Sequence, residues 1–130
     1  MIRTALFAAL VLATALPGPL HAAASDYVFE LVKAPLPKGD EVPVAVRLVH
    51  KPTGKPVAGA VIIRTRLDMA PEGMAEHATS IKPAPAGEQP GVYAFKADLS
   101  MAGRWQLSLA AKVQGEAETV VGKLVLEVGK

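Results

Sequence analysis

The chain has 130 residues, of which 51% are apolar and 20% are charged, and its 14 basic and 12 acidic residues give a formal net charge of +2. This length is typical of one domain, and the composition argues against an intrinsically disordered chain. The balanced charge, without a basic run, argues against a nucleic-acid partner. The absence of cysteine excludes disulfides, thiol nucleophiles, Cys-ligated zinc and iron–sulfur clusters.

Residues 1–24 have the pattern of a secretory signal peptide. A basic residue, Arg3, precedes the apolar stretch Thr4–Leu16, and small residues follow at Ala22–Ala24. The apolar stretch is shorter than the roughly 20 residues that span a bilayer. Cleavage after Ala22 and cleavage after Ala24 fit equally well. We therefore expect residues 25–130 to form one exported domain, periplasmic or secreted, that is soluble and has no membrane anchor after cleavage.

The remainder of the chain alternates apolar and polar side chains with a period of two. This pattern predicts strands with one buried and one solvated face. In the third such segment it places Val61, Ile63 and Leu67 on the buried face, opposite Arg64 and Arg66. The alternating segments lie at residues 27–32, 42–48, 60–67, 91–99, 104–113 and 119–128. A further segment, at residues 76–82, is a weaker strand prediction.

Turn-forming residues separate these segments, at positions 35–39, 52–56, 71–73, 83–91, 102–103 and 114–115. No segment of ten or more residues has helical periodicity. The predicted fold is therefore all-β: an antiparallel, immunoglobulin-like β-sandwich of about seven strands. Its two sheets would pack Phe29, Phe95 and Trp105 between them, together with the aliphatic residues of the buried faces.

The sequence does not predict an enzyme. The few serines lie in no nucleophile-elbow context, the carboxylates are scattered, and no glycine-rich phosphate loop occurs. The pattern favours a domain that binds a ligand or a partner.

One predicted loop, residues 68–77, concentrates potential ligands for a soft metal. It contains Met69, Met74 and His77, and a further methionine, Met101, is a candidate fourth ligand. Thioether and imidazole groups suit Cu(I) and disfavour hard cations. Methionine is also the natural soft ligand in an oxidising compartment, where reduced thiols do not persist.

Each of these residues also has a purely structural interpretation. Met69 shares the inward parity of its strand and would then cap the core. Met74 would be an exposed loop residue, His77 a surface strand residue, and Met101 a plug at the end of the sandwich. His50, at a predicted strand end, is expected to be a solvated edge residue.

Three segments, GKPVAGAVI at Gly54–Ile62, MAPEGMAEH at Met69–His77 and GVYAFKADLSMAGRWQLSL at Gly91–Leu109, resemble the YtkA-like/FixH-like domain family. The resemblance implies an exported immunoglobulin-like β-sandwich. It also implies an association with the efflux of copper or another heavy metal, or with haem–copper oxidase assembly.

On this resemblance, Met69, Met74 and His77 fall on the family's Met/Met/His loop, and Met101 and Trp105 fall on its later Met-x-Gly-x-Trp element. The sequence departs from the common loop pattern by one extra residue between the first methionine and the proline. The first functional hypothesis is therefore a Cu(I)-binding module whose partner is an envelope metal-transport or oxidase-assembly protein. The alternative is a metal-free interaction module of the envelope. The sequence leaves the oligomeric state and the partner's identity open.

Overall fold

The computed structural model describes residues 24–85, 87 and 89–130. The predicted signal peptide, apart from Ala24, lies outside these residues. The described part contains no α-helix, and its helical content is two short 3₁₀ turns, Ala24–Asp26 and Ala70–Glu72. The strands are β1 (Tyr27–Leu31), β2 (Gly39–His50), β3 (Lys55–Pro56), β4 (Val61–Met69), β5 (Met74–Thr79), β6 (Ile81–Pro83), β7 (Val92–Leu99), β8 (Gly103–Lys112) and β9 (Val120–Val128).

These strands form two antiparallel sheets. The first has the order β1-β2-β7-β6, with β3 paired to the end of β2, and the second has the order β5-β4-β8-β9. Immunoglobulin domains place strands A, B, E and D in one sheet and C, F and G in the other. The present order is the same, with β5 as an added edge strand beside β4. The predicted immunoglobulin-like sandwich is confirmed.

The core lies between the sheets and is built from the alternating residues of both. In β2 every second residue from Val42 to Leu48 is buried, and in β8 the same holds from Trp105 to Ala111. Burial of this aliphatic and aromatic surface is the main stabilising contribution in a sandwich of this size. The largest fully buried side chains are Trp105, Leu48, Leu67, Met69, Leu99, Leu107, Leu126, Val44, Val46 and Val120.

For the first half of β4, the prediction of which side chains face the core is wrong. Val61 is 61% exposed and Ile63 is 48% exposed, whereas Ile62 packs against the core and Leu67 is fully buried. The pairing of β4 with β8 shifts register between Ile62 and Arg64. Such a bulge adds one residue to one strand, so the alternation of core-facing and solvent-facing side chains is reversed beyond it.

The structure also corrects the predicted boundaries around the weak segment at residues 76–82. This segment is two strands, β5 and β6, which belong to different sheets, and the chain crosses between them at Ser80. The predicted loop at residues 68–77 is mostly strand, because Met69 ends β4 and Met74 begins β5. A two-residue strand, β3, also lies inside the predicted turn at residues 52–56. The described part therefore has nine strands instead of about seven.

Candidate functional site

The four predicted metal ligands lie at one end of the sandwich, which we call the methionine end: Met69, Met74, His77 and Met101 with their two turns. The β4–β5 hairpin carries the first three, and the β7–β8 turn at residues 100–102 carries Met101. Met69 and Met74 are register partners across the hairpin. The β4–β5 hairpin and the β7–β8 turn therefore bring Met101 to the same end of the sandwich as the three earlier candidates, 24 to 32 positions before it in the sequence.

The β4–β5 turn is a single 3₁₀ turn whose sequence explains its shape. Pro71 lies in its first positions, where a missing N–H is tolerated. Gly73 ends it in the left-handed conformation, with φ of 76°, and donates its N–H to Ala70 O at 2.9 Å. The turn therefore places Met74 directly beside Met69.

A buried carboxylate that the sequence analysis did not single out holds this hairpin. Asp68 is 4% exposed; its Oδ1 accepts the N–H of Ala70 at 2.9 Å, and its Oδ2 accepts Nε of Arg66 at 2.8 Å. Arg66 also donates to the carbonyl of Ala75 on β5 at 2.8 Å. The only sequence signal for this role is an Asp two residues before the turn, which is typical of an Asx-type contact.

A second ion pair joins the two turns of the methionine end. The backbone N–H and Nε of Arg104 both donate to Glu72 Oε1 at 3.1 Å, and its NH2 group donates to Pro71 O at 3.1 Å. The hydrogen bond from the Arg104 side chain, followed by the one from its backbone, holds the pKa of Glu72 below its ordinary value. The β4–β5 turn is therefore tied to the start of β8.

Trp105 lies beneath the methionine end and contacts both of its halves. Its indole N–H donates to the carbonyl of Met101 at 3.0 Å, and the His77 ring lies 5.6 Å from its ring centroid at an interplanar angle of 46°. Trp105 is fully buried, as predicted. One core side chain therefore sets the positions of a candidate imidazole ligand and of the turn that carries a candidate thioether.

The four candidate ligands differ in exposure. Met69 is 1% exposed, and its methyl group packs at Gly103; it lies in the core, in agreement with the structural alternative. Met74 is half-buried against the core, whereas His77 is exposed and Met101 is 42% exposed. The side chains at the solvent boundary are thus Met74, His77 and Met101, with Met69 beneath them.

Among the described residues, no three His, Cys, Asp or Glu side chains are grouped so that they could hold a metal ion. This absence does not concern thioethers, which suit soft ions, whereas carboxylate and imidazole clusters hold harder cations.

His50 belongs to a different part of the molecule, at the end of β2. Its Nδ1 lies 2.8 Å from the hydroxyl of Thr53, and its ring is 5.2 Å from the ring of Tyr27. It pairs with Tyr27 at the edge of the first sheet. Its position agrees with the predicted edge residue, although it is half-buried and not fully solvated.

Within the described part of the chain, no helix is both long enough and apolar enough to cross a bilayer. Compared with curated proteins, the chain has no match. The family model described as YtkA-like matches residues 21–110, which include the β4–β5 hairpin, the β7–β8 turn and most of β8. The match covers more than half of the chain and supports an envelope-associated domain. The chain therefore belongs to the YtkA-like family.

Proposed function

We propose that this protein is an exported Cu(I)-binding domain that holds the ion at the surface of the methionine end through Met74, His77 and Met101. The observation that carries the proposal is that Trp105 contacts both turns: its ring lies against His77, and its indole N–H donates to the backbone carbonyl of Met101. Met74 begins the strand that carries His77. Family membership supports an envelope-associated domain. The resemblance of the sequence to copper-associated members of this group supports the choice of metal.

The ligand chemistry suits Cu(I). Two thioethers and one imidazole form a soft, neutral set. The thioethers need no deprotonation, and the imidazole of His77 coordinates only when it is neutral. Zn(II) should bind weakly, because thioether suits it poorly and a single imidazole is available.

Met69 has a supporting role in this proposal. Its side chain is buried and packs at Gly103, so it lies below the solvent-accessible ligands and shapes the floor of the site. Replacing it with leucine conserves its volume and removes its sulfur. This variant therefore separates packing from coordination.

The proposed location is the periplasm or the extracellular space, and it rests on the leader pattern of residues 1–24. In an oxidising compartment thioethers keep their affinity for Cu(I), whereas thiols are lost to oxidation. The function is binding and transfer of the ion to an envelope partner, without catalysis.

Titration of the mature protein with Cu(I), in competition with a chromogenic Cu(I) chelator and under reducing conditions, tests the proposal. We expect one equivalent to bind. Trp105 is the only tryptophan of the chain, so its fluorescence should change on binding because His77 lies against it. Met74→Leu, His77→Gln and Met101→Leu should each weaken affinity by about tenfold or more, the loss expected for about 1.4 kcal/mol or more of ligand free energy.

Two matched variants serve as controls. Met69→Leu and His50→Gln remove a sulfur and an imidazole outside the proposed ligand set and should leave Cu(I) affinity unchanged. If a protein with all three ligand substitutions binds Cu(I) as well as the wild type does, the proposal is wrong. If the wild-type protein binds no Cu(I) in the micromolar range, the metal-free interaction module is the better hypothesis, with the exposed edge strand β5 as its docking element.

A further inference from the structure

A groove of about 510 Å³ lies on the outer face of the second sheet, across β4, β8 and β9. It contains none of the four candidate metal ligands, although Arg66 in its wall also bonds to the β4–β5 hairpin. Ala110, in its floor, lies five residues along β8 from Trp105, which is about 17 Å at 3.3–3.4 Å per residue. The residues that line it are Arg64, Arg66, Ser108, Ala110, Val121 and Lys123, with the backbone of the Leu109–Gly122 pair between them.

The register of the sheet explains the groove. Ala110 on the central strand pairs with Arg64 on one side and Val121 on the other. Two residues earlier, Ser108 pairs with Arg66 and Lys123 in the same way. Small side chains on β8 therefore lie between longer ones on both neighbours.

The two walls carry cations that the protein does not neutralise. Arg66 is engaged by Asp68 and by the carbonyl of Ala75. Arg64 on β4 and Lys123 on β9 are exposed, and within the described ranges neither forms an ion pair. No acidic residue lines the groove. Exposed apolar surface accompanies these charges, since Val121 is 70% exposed.

This combination argues for a small anionic occupant. A two-fold contact with a second copy, centred on the groove, would place Arg64 and Lys123 of both copies on the same patch, where like charges repel. The volume is within the range of small-molecule sites, about 300–1,000 Å³. Arg64 and Lys123 are separated by two strand spacings and by two residues along the strands, about 12 Å in all, a distance that their long side chains can close on one carboxylate.

We propose that this groove binds an amphiphilic organic anion, an alkyl chain that ends in a carboxylate. The carboxylate lies between Arg64 and Lys123, where a guanidinium and an ammonium supply charge-assisted hydrogen bonds. The alkyl chain lies over the buried Ala110 in the floor and covers Val121, which is 70% exposed, so that apolar surface is removed from water. This site does not depend on Cu(I) binding, and the two proposals fail independently.

Titration of the full mature protein with octanoate, followed by backbone amide chemical shifts, tests the inference. The largest changes in amide chemical shift should occur at Ser108, Ala110 and Gly122. Acetate, which has the carboxylate alone, and 1-octanol, which has the chain alone, should each bind at least about tenfold more weakly. Arg64→Gln and Lys123→Gln should each weaken octanoate binding about two- to fivefold, the effect expected for losing one solvent-exposed ion pair.

Lys96→Gln provides the matched control, because it removes an exposed cation from the first sheet; it should leave octanoate binding unchanged. Ala110→Leu should fill the groove and abolish binding while the other strands keep their wild-type amide shifts. Several outcomes would overturn the inference. Acetate or 1-octanol could bind as tightly as octanoate, or both charge variants could bind it normally. Sedimentation could also show a dimer that Arg64→Gln dissociates.

Discussion

Gly122 on β9 shows how closely a side chain and a backbone approach each other in this sandwich. A Cβ placed on Gly122 would lie 2.5 Å from Cδ2 and 3.2 Å from Cε2 of Phe29. Phe29 is itself buried, so its ring has little room to move away. The absence of a side chain at this position therefore permits β1 and β9 to pack together.

We expect Gly122→Ala to destabilise the fold by about 1–3 kcal/mol, the usual cost of overpacking a core. Chemical denaturation should reveal the loss. Gly87→Ala is the control, because a Cβ there meets no atom of the described residues within 4 Å. Adding Phe29→Leu to Gly122→Ala should recover part of the stability; equal stability of Gly122→Ala and the wild type would contradict the argument.

Trp105 is the residue on which the core and the candidate site both depend. It is fully buried and its indole N–H is bonded to Met101 O. Trp105→Ala should cost about 3–5 kcal/mol of unfolding free energy, through lost burial and the cavity left behind. Val125→Ala, at a residue that is 53% exposed on the outer face, should change stability by less than about 0.5 kcal/mol.

A milder substitution separates packing from hydrogen bonding at the same position. Trp105→Phe retains an aromatic ring but cannot donate to the Met101 carbonyl. It should cost less than Trp105→Ala, and it should disorder the turn at residues 100–102, which amide exchange would detect. If Trp105→Ala lowered the free energy of unfolding by less than about 1 kcal/mol, the tryptophan would not pack in the core.

At the scale of elements, the ion pair that joins the β4–β5 turn to β8 predicts that the free energy of unfolding depends on pH. Glu72 has a lowered pKa in the folded protein because Arg104 donates hydrogen bonds to its carboxylate. Its contribution to stability is therefore fully present above the unfolded-state pKa of a glutamate, about 4.3. The contribution is lost as the pH falls from there through the lower folded-state pKa.

Glu72→Gln should remove this part of the pH dependence and leave the stability near neutral pH slightly reduced. Unfolding midpoints of wild type and variant, measured at intervals from pH 7 to pH 3, should converge at the acidic end. Glu30→Gln is a suitable comparison, since its pairing with Arg47 is longer, at 4.0 Å, and exposed. Parallel curves for wild type and Glu72→Gln would rule out the proposed contribution.

The β4 bulge is the element-scale feature that sets which β4 side chains face the proposed groove. It turns Val61 and Ile63 outward and leaves Ile62 and Leu67 on the core side. Arg64 then aligns with Ala110 and Val121 on the outer face. Without the extra residue, the cationic wall of the groove would have a different register.

At the scale of the whole molecule, the two sheets are joined at an edge as well as through the core. Leu36, in the connection between β1 and β2, is 4% exposed and bridges to Val128 of β9. Its N–H bonds to Glu127 O, and its carbonyl accepts the N–H of Gly129. This contact partly covers the edge of β9, whereas β5, at the opposite edge of the same sheet, has β4 as its one partner among the described strands.

Export is the prediction that concerns the whole chain. We expect the mature protein to begin near Ala23 or Ser25, because signal peptidases cleave after small residues. Intact-mass measurement of protein recovered from the periplasmic or secreted fraction checks the processing site. Recovery of the full-length chain in the membrane fraction would contradict it.

Much of the fold follows from the sequence by itself. The alternation of apolar and polar residues in β2, β8 and β9 predicted their buried faces. A strand with one buried and one solvated face repeats its apolar residues at every second position. Trp105 was predicted as a core residue on the same grounds. The sequence also marked the methionines and His77 as candidate ligands, since a soft ligand set in a cysteine-free chain is a local chemical signal; their role in metal binding stays a prediction.

Only the tertiary structure decided the rest. The bulge in β4, the crossing of the chain between sheets at Ser80 and the burial of Met69 depend on which strand pairs with which. Those pairings join residues far apart in the chain, so local periodicity does not contain them. The same holds for the approach of Trp105 to His77 and for the groove between Arg64 and Lys123. Both arise from the register of neighbouring strands, which the packing of the whole sandwich selects.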